Sequence, residues 1–190
     1  DHPDGYGHTQ FFKHFRQYTN QVKPVMHMEH KAGDKMYIDF AGKKLHLVDP
    51  ISGELKEVEV FAAILGCSQL TFVQAAYSQK KEDLIRCCEN AVHYFGGAAQ
   101  AIVPDNLKSA VIKSCKYEPI LNESFAAFAE HYGMAVIPAR AYRPKDKSLV
   151  ESAVKFSYSS IYAELDHHTF HSLDELNEAI LQLLERYNNK

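Results

Sequence analysis

The sequence predicts an α/β fold: one mixed sheet, begun as an antiparallel meander and continued by parallel strands, with helices on both faces. Three observations predict it. From Lys35 to Ser78 the apolar residues come in strand-length runs divided by turn residues. From Lys81 onward the apolar period changes to that of a helix. Between the later helices lie short apolar runs of strand length, and a meander followed by helix–strand–helix–strand–helix implies one sheet with helices packed on it.

Residues 1–34 read as a tail and connector. Phe11 to Tyr18 has the makings of a short helix, and Val22 to Gly33 holds Pro24 and Gly33 with no clear period. The core begins near Lys35. Met36 to Ala41 is the first strand, and Leu45 to Val48 alternates after a turn at Gly42-Lys43. Asp49-Pro50-Ile51-Ser52-Gly53 is a strong hairpin loop. Glu57 to Leu65 and Thr71 to Ala76 complete the meander. Lys81 to Phe95 places Leu84, Ile85, Cys88, Ala91, Val92 and Phe95 at helical spacing, stopped by Gly96-Gly97. Ala101 to Val103 is a short buried strand, Ser124 to Tyr132 a helix ended by Gly133, and Met134 to Pro138 another buried strand. Ser148 to about Leu165 is a long helix with Val150, Val154, Tyr158, Ile161 and Leu165 along one stripe. A last helix covers Leu173 to Tyr187, with Ser172 or Asp174 at its start. The division expected is therefore a tail over 1–34, a catalytic-type core over 35–165 and a C-terminal helix over 166–190.

Composition narrows the function. With 190 residues and 46% apolar content the chain has room for one domain with a real core. No apolar run approaches the roughly 18 residues that span a bilayer. Cys67, Cys87, Cys88 and Cys115 show neither metal-ligand spacing nor a disulfide framework, which predicts a reducing, cytoplasmic setting. The chain opens on Asp1-His2-Pro3-Asp4 and reads as a piece of a longer protein. The net charge of −3 weighs against a nucleic-acid partner, but its distribution does not. Residues 106–155 hold eight Lys and Arg against five acids, a net +3; residues 156–190 hold two against six, a net −4. A basic excess in the first of these stretches suits a phosphate backbone. A solvated charged surface explains it as well.

Three acids stand where a structural acid is awkward. Asp39 interrupts the apolar run Met36–Ala41, Asp105 ends the run Ala101–Pro104, and Glu151 lies one turn into the long helix. An unpaired ionised carboxylate in a half-buried strand costs several kcal/mol, on the order of the penalty for any buried charge, and so calls for a partner or a cation. Mg²⁺ takes hard oxygen ligands from a few carboxylates, and two such ions about 4 Å apart can serve both the attacking and the leaving oxygen of a phosphoryl transfer. In this reading Asp39 bridges both ions, Asp105 completes one site and Glu151 the other. Each acid also has a plainer reading taken alone. Asp39 can face water from a strand edge, Pro104-Asp105-Asn106 is a good turn, and Ser148-Leu149-Val150-Glu151 matches a helix capping box. A zinc reading of His27, His30 and His167, His168, His171 lacks ligand spacing.

The order strand, strand end, helix is that in which RNase H-like polynucleotidyl transferases present an Asp-Asp-Glu triad. Longer phrases sharpen the likeness. Val-Met-His-Met-Glu-His-Lys-Ala-Gly-Asp-Lys (25–35), Ile-Asp-Phe-Ala-Gly (38–42), Val-Pro-Asp-Asn-Leu-Lys-Ser-Ala-Val (103–111), Tyr-Glu-Pro-Ile-Leu-Asn (117–122), His-Tyr-Gly (131–133), Pro-Lys-Asp-Lys-Ser-Leu-Val-Glu (144–151) and Ser-Leu-Asp-Glu-Leu-Asn (172–177) resemble the catalytic core of IstA-type insertion-sequence transposases. The chain is similar to that family from about Val22 through Leu184, and more distantly to retroviral integrases. The resemblance implies an RNase H-like fold, dependence on Mg²⁺ or Mn²⁺ (two ions in the active complex), and cleavage and joining of DNA. It makes Asp39, Asp105 and Glu151 the catalytic and metal-binding triad. The spacings are 105 − 39 = 66 and 151 − 105 = 46, the second longer than in retroviral integrases, and Ser148 stands where those often have glycine. DNA contacts are expected from Asn106, Lys108, Arg140, Arg143, Lys145, Lys147 and Lys155. The partners implied are transposon ends and target DNA, further copies of the chain assembled on DNA, and an IstB-type AAA+ ATPase, in the bacterial cytoplasm with no membrane involved. The rivals are an RNase H-like nuclease that only hydrolyses and an inactive DNA-binding module.

Overall fold

The computed structural model describes residues 5–21, 30–105, 107–113, 120–139 and 151–189, with no account of the side chains of residues 20, 21, 112, 113, 157 and 158. After helix α1 (His8–Gln21) come strands β1 (Lys35–Val48), β2 (Leu55–Leu65) and β3 (Thr71–Ala76), helix α2 (Lys81–Tyr94) and strand β4 (Ala101–Pro104). Strands β5 (Val111–Lys113) and β6 (Ile120–Leu121) pair only with each other. Helix α3 (Glu123–His131), strand β7 (Ala135–Val136), helix α4 (described from 151 to 165) and helix α5 (Leu173–Asn188) complete the chain. The main sheet has the order β3-β2-β1-β4-β7. Antiparallel pairing joins β1 to β2 and β2 to β3, and parallel pairing joins β1 to β4 and β4 to β7. This is the mixed sheet the sequence predicts.

The first hairpin differs from expectation. Strand β1 does not turn at Gly42-Lys43; it runs on to Val48, and its pairing with β2 shifts register between Ala41 and Leu45. A bulge has taken the place of a turn, because β2 is long enough at Leu55–Val58 to keep a partner for Leu45–Val48. The real turn is at 49–53. There the Asp49 carboxylate accepts from the Ile51 and Ser52 N–H groups at 2.9 and 2.7 Å, and Gly53 adopts φ +71°. These N–H donors hold the Asp49 carboxyl below its ordinary pKa.

Strand β7 also departs from expectation. It is an edge strand and not a buried one: Ala135 and Ile137 are exposed, although Ile137 and Ala139 still donate to the Ile102 and Pro104 carbonyls. Helix α3 starts at Asn122, whose side chain accepts from the Ser124 and Phe125 N–H groups, and Gly133 at φ +66° follows its end. Ser172, and not Asp174, caps α5 by accepting from the Glu175 N–H. In α4 the stripe residues Ile161 and Leu165 are buried and Val154 half-buried; Val150 lies outside the described residues. The turns Ser157–Tyr162 are π-helical, which the sequence did not signal.

Both faces of the sheet are covered. Met36, Ile38 and Phe40 point to one face, where the Phe72 ring meets Tyr94 and Phe95, and Asn90 of α2 bonds Gln74. Tyr37 points to the other, in a cluster with Ile64, Val103, Ala139 and Ala153 of α4. Helix α5 straps the outer edge of β3. The Asn177 amide accepts from Ala75 N–H at 2.7 Å and donates to Ala75 C=O at 3.1 Å. Eleven residues on, the Asn188 amide does the same at Thr71 and also donates to the Tyr94 hydroxyl. Among the described residues no helix is long and apolar enough to cross a membrane.

Candidate active site

The parallel pairing of β1 with β4 brings two of the three acids together. Ile38 is registered with Pro104, and the next backbone bond runs from Asp105 N–H to the Ile38 carbonyl at 3.1 Å. Asp39 and Asp105 therefore sit side by side on neighbouring strands, whose usual separation is about 4.8 Å. Alternation along each strand puts Asp39 on the face of Tyr37, and Asp105 on the face of Val103, which is the same face. Both residues are half-buried. Asp39 Oδ1 accepts from Phe40 N–H at 2.8 Å, and Asp105 Oδ1 is withdrawn from solvent. Asp105 immediately follows the last residue of β4, and the crevice beyond a strand's carboxyl end is where open α/β sheets bind ligands.

Glu151 is treated differently. It is exposed and begins the described part of α4. Two residues later Ala153 is buried in the cluster of Tyr37 and Val103, so α4 lies over the sheet face that carries Asp39 and Asp105. Among the described residues, no three His, Cys, Asp or Glu side chains are grouped closely enough to hold a metal ion. The structure thus sets Asp39 beside Asp105, lays the helix of Glu151 on the same sheet face, and does not close the triad among the described residues.

Lys108 and Lys155 are exposed, three residues past Asp105 and one helical turn past Glu151. Asn106, Arg140, Arg143, Lys145 and Lys147, and the start of the Ser148–Glu151 capping box, lie outside the described residues. Of the histidines, His171 Nδ1 contacts the Val48 carbonyl at 2.9 Å and the His30 ring packs edge-on to Tyr37. Lys44 is engaged away from the acids, by Glu57 at 2.8 Å and Glu59 at 3.2 Å, and these carboxylates raise its pKa. Sequence reasoning missed one tie. The Tyr162 hydroxyl, in the π-helical turns of α4, donates to the Lys43 carbonyl at the β1 bulge, and Lys43 Nζ lies 5.5 Å from the centre of the Tyr162 ring. The helix of Glu151 is thereby fastened to the strand of Asp39. No local signal announces it, because both the bulge and the π turns depend on tertiary packing.

Comparison with known proteins bears on the family and the fold. No family model matches the chain. A Sinorhizobium fredii protein assigned as a transposase is 42% identical over 189 residues, which are 100% of this chain and 37% of that protein. A protein of Pseudomonas fluorescens assigned as the transposase of insertion sequence IS1162 is 37% identical over 191 residues, 100% of this chain and 34% of the other. The transposase of insertion sequence element IS21 of Pseudomonas aeruginosa is 28% identical over 132 residues, 70% of this chain and 33% of the other. The chain thus spans a little over a third of the length of the curated relatives it matches. Among solved structures, the catalytic core domain of BIV integrase superposes with a TM-score of 0.57 at 14% identity, covering 84% of this chain and 86% of that one. The HTLV-2 integrase catalytic core domain in complex with magnesium superposes with a TM-score of 0.54 at 14% identity, covering 80% and 82%.

Proposed function

We propose that this chain, a relative of insertion-sequence transposases with the fold of retroviral integrase catalytic cores, is the catalytic core of a DDE transposase. It cuts DNA at transposon ends and joins those ends to target DNA. The observation that supports this reading most is the pairing of β1 with β4, which seats Asp39 beside Asp105 on one face. Central strands are a rigid mount for carboxylates that must hold position through a reaction.

The pair fits a hard divalent cation. Both side chains offer carboxylate oxygens, one of them drawn out of solvent, and adjacent carboxylates remain ionised together most readily when a cation lies between them. Asp39 and Asp105 would hold Mg²⁺ or Mn²⁺, with Glu151 joining them when DNA is bound. Two such ions, when bound, would supply charge neutralisation at the reacting phosphate. The chain itself contributes position. Lys108 and Lys155, with Asn106, Arg140, Arg143, Lys145 and Lys147, hold the DNA backbone against the acids, and positioning and electrostatics account for most of the rate in such transfers. In the first step water attacks a phosphodiester at the element's end and frees a 3′-hydroxyl. In the second, that hydroxyl attacks a target phosphodiester in line; the new P–O bond forms as the bond to the target strand's 3′-oxygen breaks. No covalent enzyme intermediate is needed.

In this reading residues 35–165 are the catalytic core and 166–190 add the helix that closes the sheet edge. The whole protein acts on DNA in the bacterial cytoplasm, as a homo-oligomer and with an IstB-type AAA+ ATPase. The test is a strand-transfer assay with the full-length protein. Joined products that vanish in Asp39→Asn and Asp105→Asn support the proposal. Hydrolysis without joining would favour a nuclease, and unimpaired joining in Asp105→Asn would refute the assignment.

A further inference from the structure

We infer that two copies of this chain exchange their α1 helices, each seating its aromatic stripe in the groove between α4 and α5 of the other. Helix α1 is built to be covered. Phe11, Phe12, Phe15 and Tyr18 are 52%, 43%, 48% and 62% exposed, and at helical spacing they form one stripe with His8. The stripe is already ordered: Phe11 stacks on Phe15 at 5.9 Å, and His8 meets Phe12 at 4.6 Å. A helix of 14 residues has little stability alone in water, so its order depends on a surface that takes these rings.

The groove is the matching surface on the described body. Two adjoining hollows of about 220 and 210 Å³ lie along it, sharing Glu164, Leu183 and Arg186 in their walls. One continues past Phe170, the other past the stacked pair Phe156–Tyr187, whose ring centres are 3.4 Å apart. The stacked rings and the Glu164–Arg186 ion pair at 3.2 Å fix both walls.

Charge selects the occupant. Residues 5–21 carry Lys13 and Arg16 and no acid, a net +2, whereas residues 163–188 carry six acids against Arg186, a net −5. Within the groove lining Glu164 is paired with Arg186, so the excess acids stand around the groove; basic α1 is complementary to that surrounding α4–α5 surface and is repelled by a second α1. Area agrees. Half-exposed aromatics bury about 100 Å² more apiece, so four rings and the facing groove remove roughly 800 Å² per contact and about 1,600 Å² in a twofold exchange, the usual size of a specific interface.

Sedimentation velocity of the 190-residue chain across a concentration series, without DNA, is the test. The wild type is expected to dimerise. Phe11→Glu with Phe15→Glu on α1 removes two rings from each of the two contacts and should raise the dissociation constant at least about 100-fold, roughly tenfold or more per contact. Glu164→Lys with Gln182→Lys in the groove should do the same, and circular dichroism checks that both variants remain folded. Mixing the two variants should restore heterodimers, since one intact stripe then meets one intact groove. Three results overturn the inference: a monomeric wild type, a groove variant that dimerises as well as the wild type (helix α1 pairing with itself), or an α1 variant that dimerises as well as the wild type. None of these bears on Asp39 and Asp105, so this proposal and the catalytic one fail separately.

Discussion

Replacing Asn177 by alanine should cost far more than its half-buried position on α5 suggests. The Asn177 amide makes two hydrogen bonds to one residue, Ala75, which has no exposed surface. Truncation leaves both the N–H and the C=O of Ala75 without that partner. Each orphaned buried backbone group costs about 1–3 kcal/mol, so allowing for some rehydration the sum is about 2–4 kcal/mol. In a domain of this size each kcal/mol lowers Tm by about 2–4 °C, giving a fall of about 5–15 °C. Urea and thermal denaturation of Asn177→Ala against wild type measure it. Asn188→Ala, three helical turns away at Thr71, should add nearly independently. Asn177→Asp separates amide geometry from simple polarity. Its carboxylate can accept from the Ala75 N–H but presses a negative oxygen on the Ala75 carbonyl, and only the protonated acid can donate there. The folded-state pKa of that acid is therefore raised. Its stability is greatest below the ordinary carboxylate pKa and is lost as pH rises through the raised value. An Asn177→Ala protein within about 0.5 kcal/mol of wild type, the level of a neutral surface substitution, would refute the edge-strap argument.

Further predictions concern the acids and the thiols. Mn²⁺ at ten times its dissociation constant should stabilise the wild type by about 1.4 kcal/mol, and Asp39→Asn or Asp105→Asn should abolish that shift in a thermal melt; equal shifts in all three proteins would dismiss the paired site. Because Glu151 is exposed, Glu151→Gln should leave Tm within about 1–2 °C of wild type, as for other surface changes, while removing strand transfer in the full-length protein. Cys67 is exposed, whereas burial pushes the Cys87 thiol up to about 12 and also raises Cys88 well above its ordinary value. Peptide mapping after brief alkylation at pH 8 should therefore find label at Cys67, and at Cys87 and Cys88 only after denaturation.

How much of this was legible depends on whether a feature is local. The meander, α2, α3 and α5 follow from period and punctuation, and the cap at Ser172 is one of two candidates the sequence offers. The β1 bulge was not legible, because Gly42-Lys43-Lys44 breaks the alternation as a turn would, and only the length of β2 decides. Strand β7 was read as buried from its apolar letters, but exposure at Ala135 and Ile137 follows from its place at the sheet edge. Asp39 and Asp105 were legible as misfits in apolar runs. The helix of Glu151 was legible as a stripe, while its distance from the other acids depends on packing that no stripe reports.

The adjacency of Asp39 and Asp105 itself follows from what happens at the opposite edge. After the meander β1-β2-β3, two ladders remain open, the outer sides of β3 and of β1. Helix α2 returns the chain across one face, and β4 can then lie beside either strand. Beside β3 it would leave two strands between Asp105 and Asp39. In this chain the outer side of β3 is taken by Asn177 and Asn188 of α5, whose amides answer the backbone of Ala75 and Thr71. The side of β1 is left for β4, and the pairing Ile38–Pro104 sets the next residues, the two acids, abreast. An α5 that straps β3 and a β4 that joins β1 are two halves of one topological choice. The asparagines that hold the edge therefore help to define the candidate active site, although they lie on the far side of two strands from it.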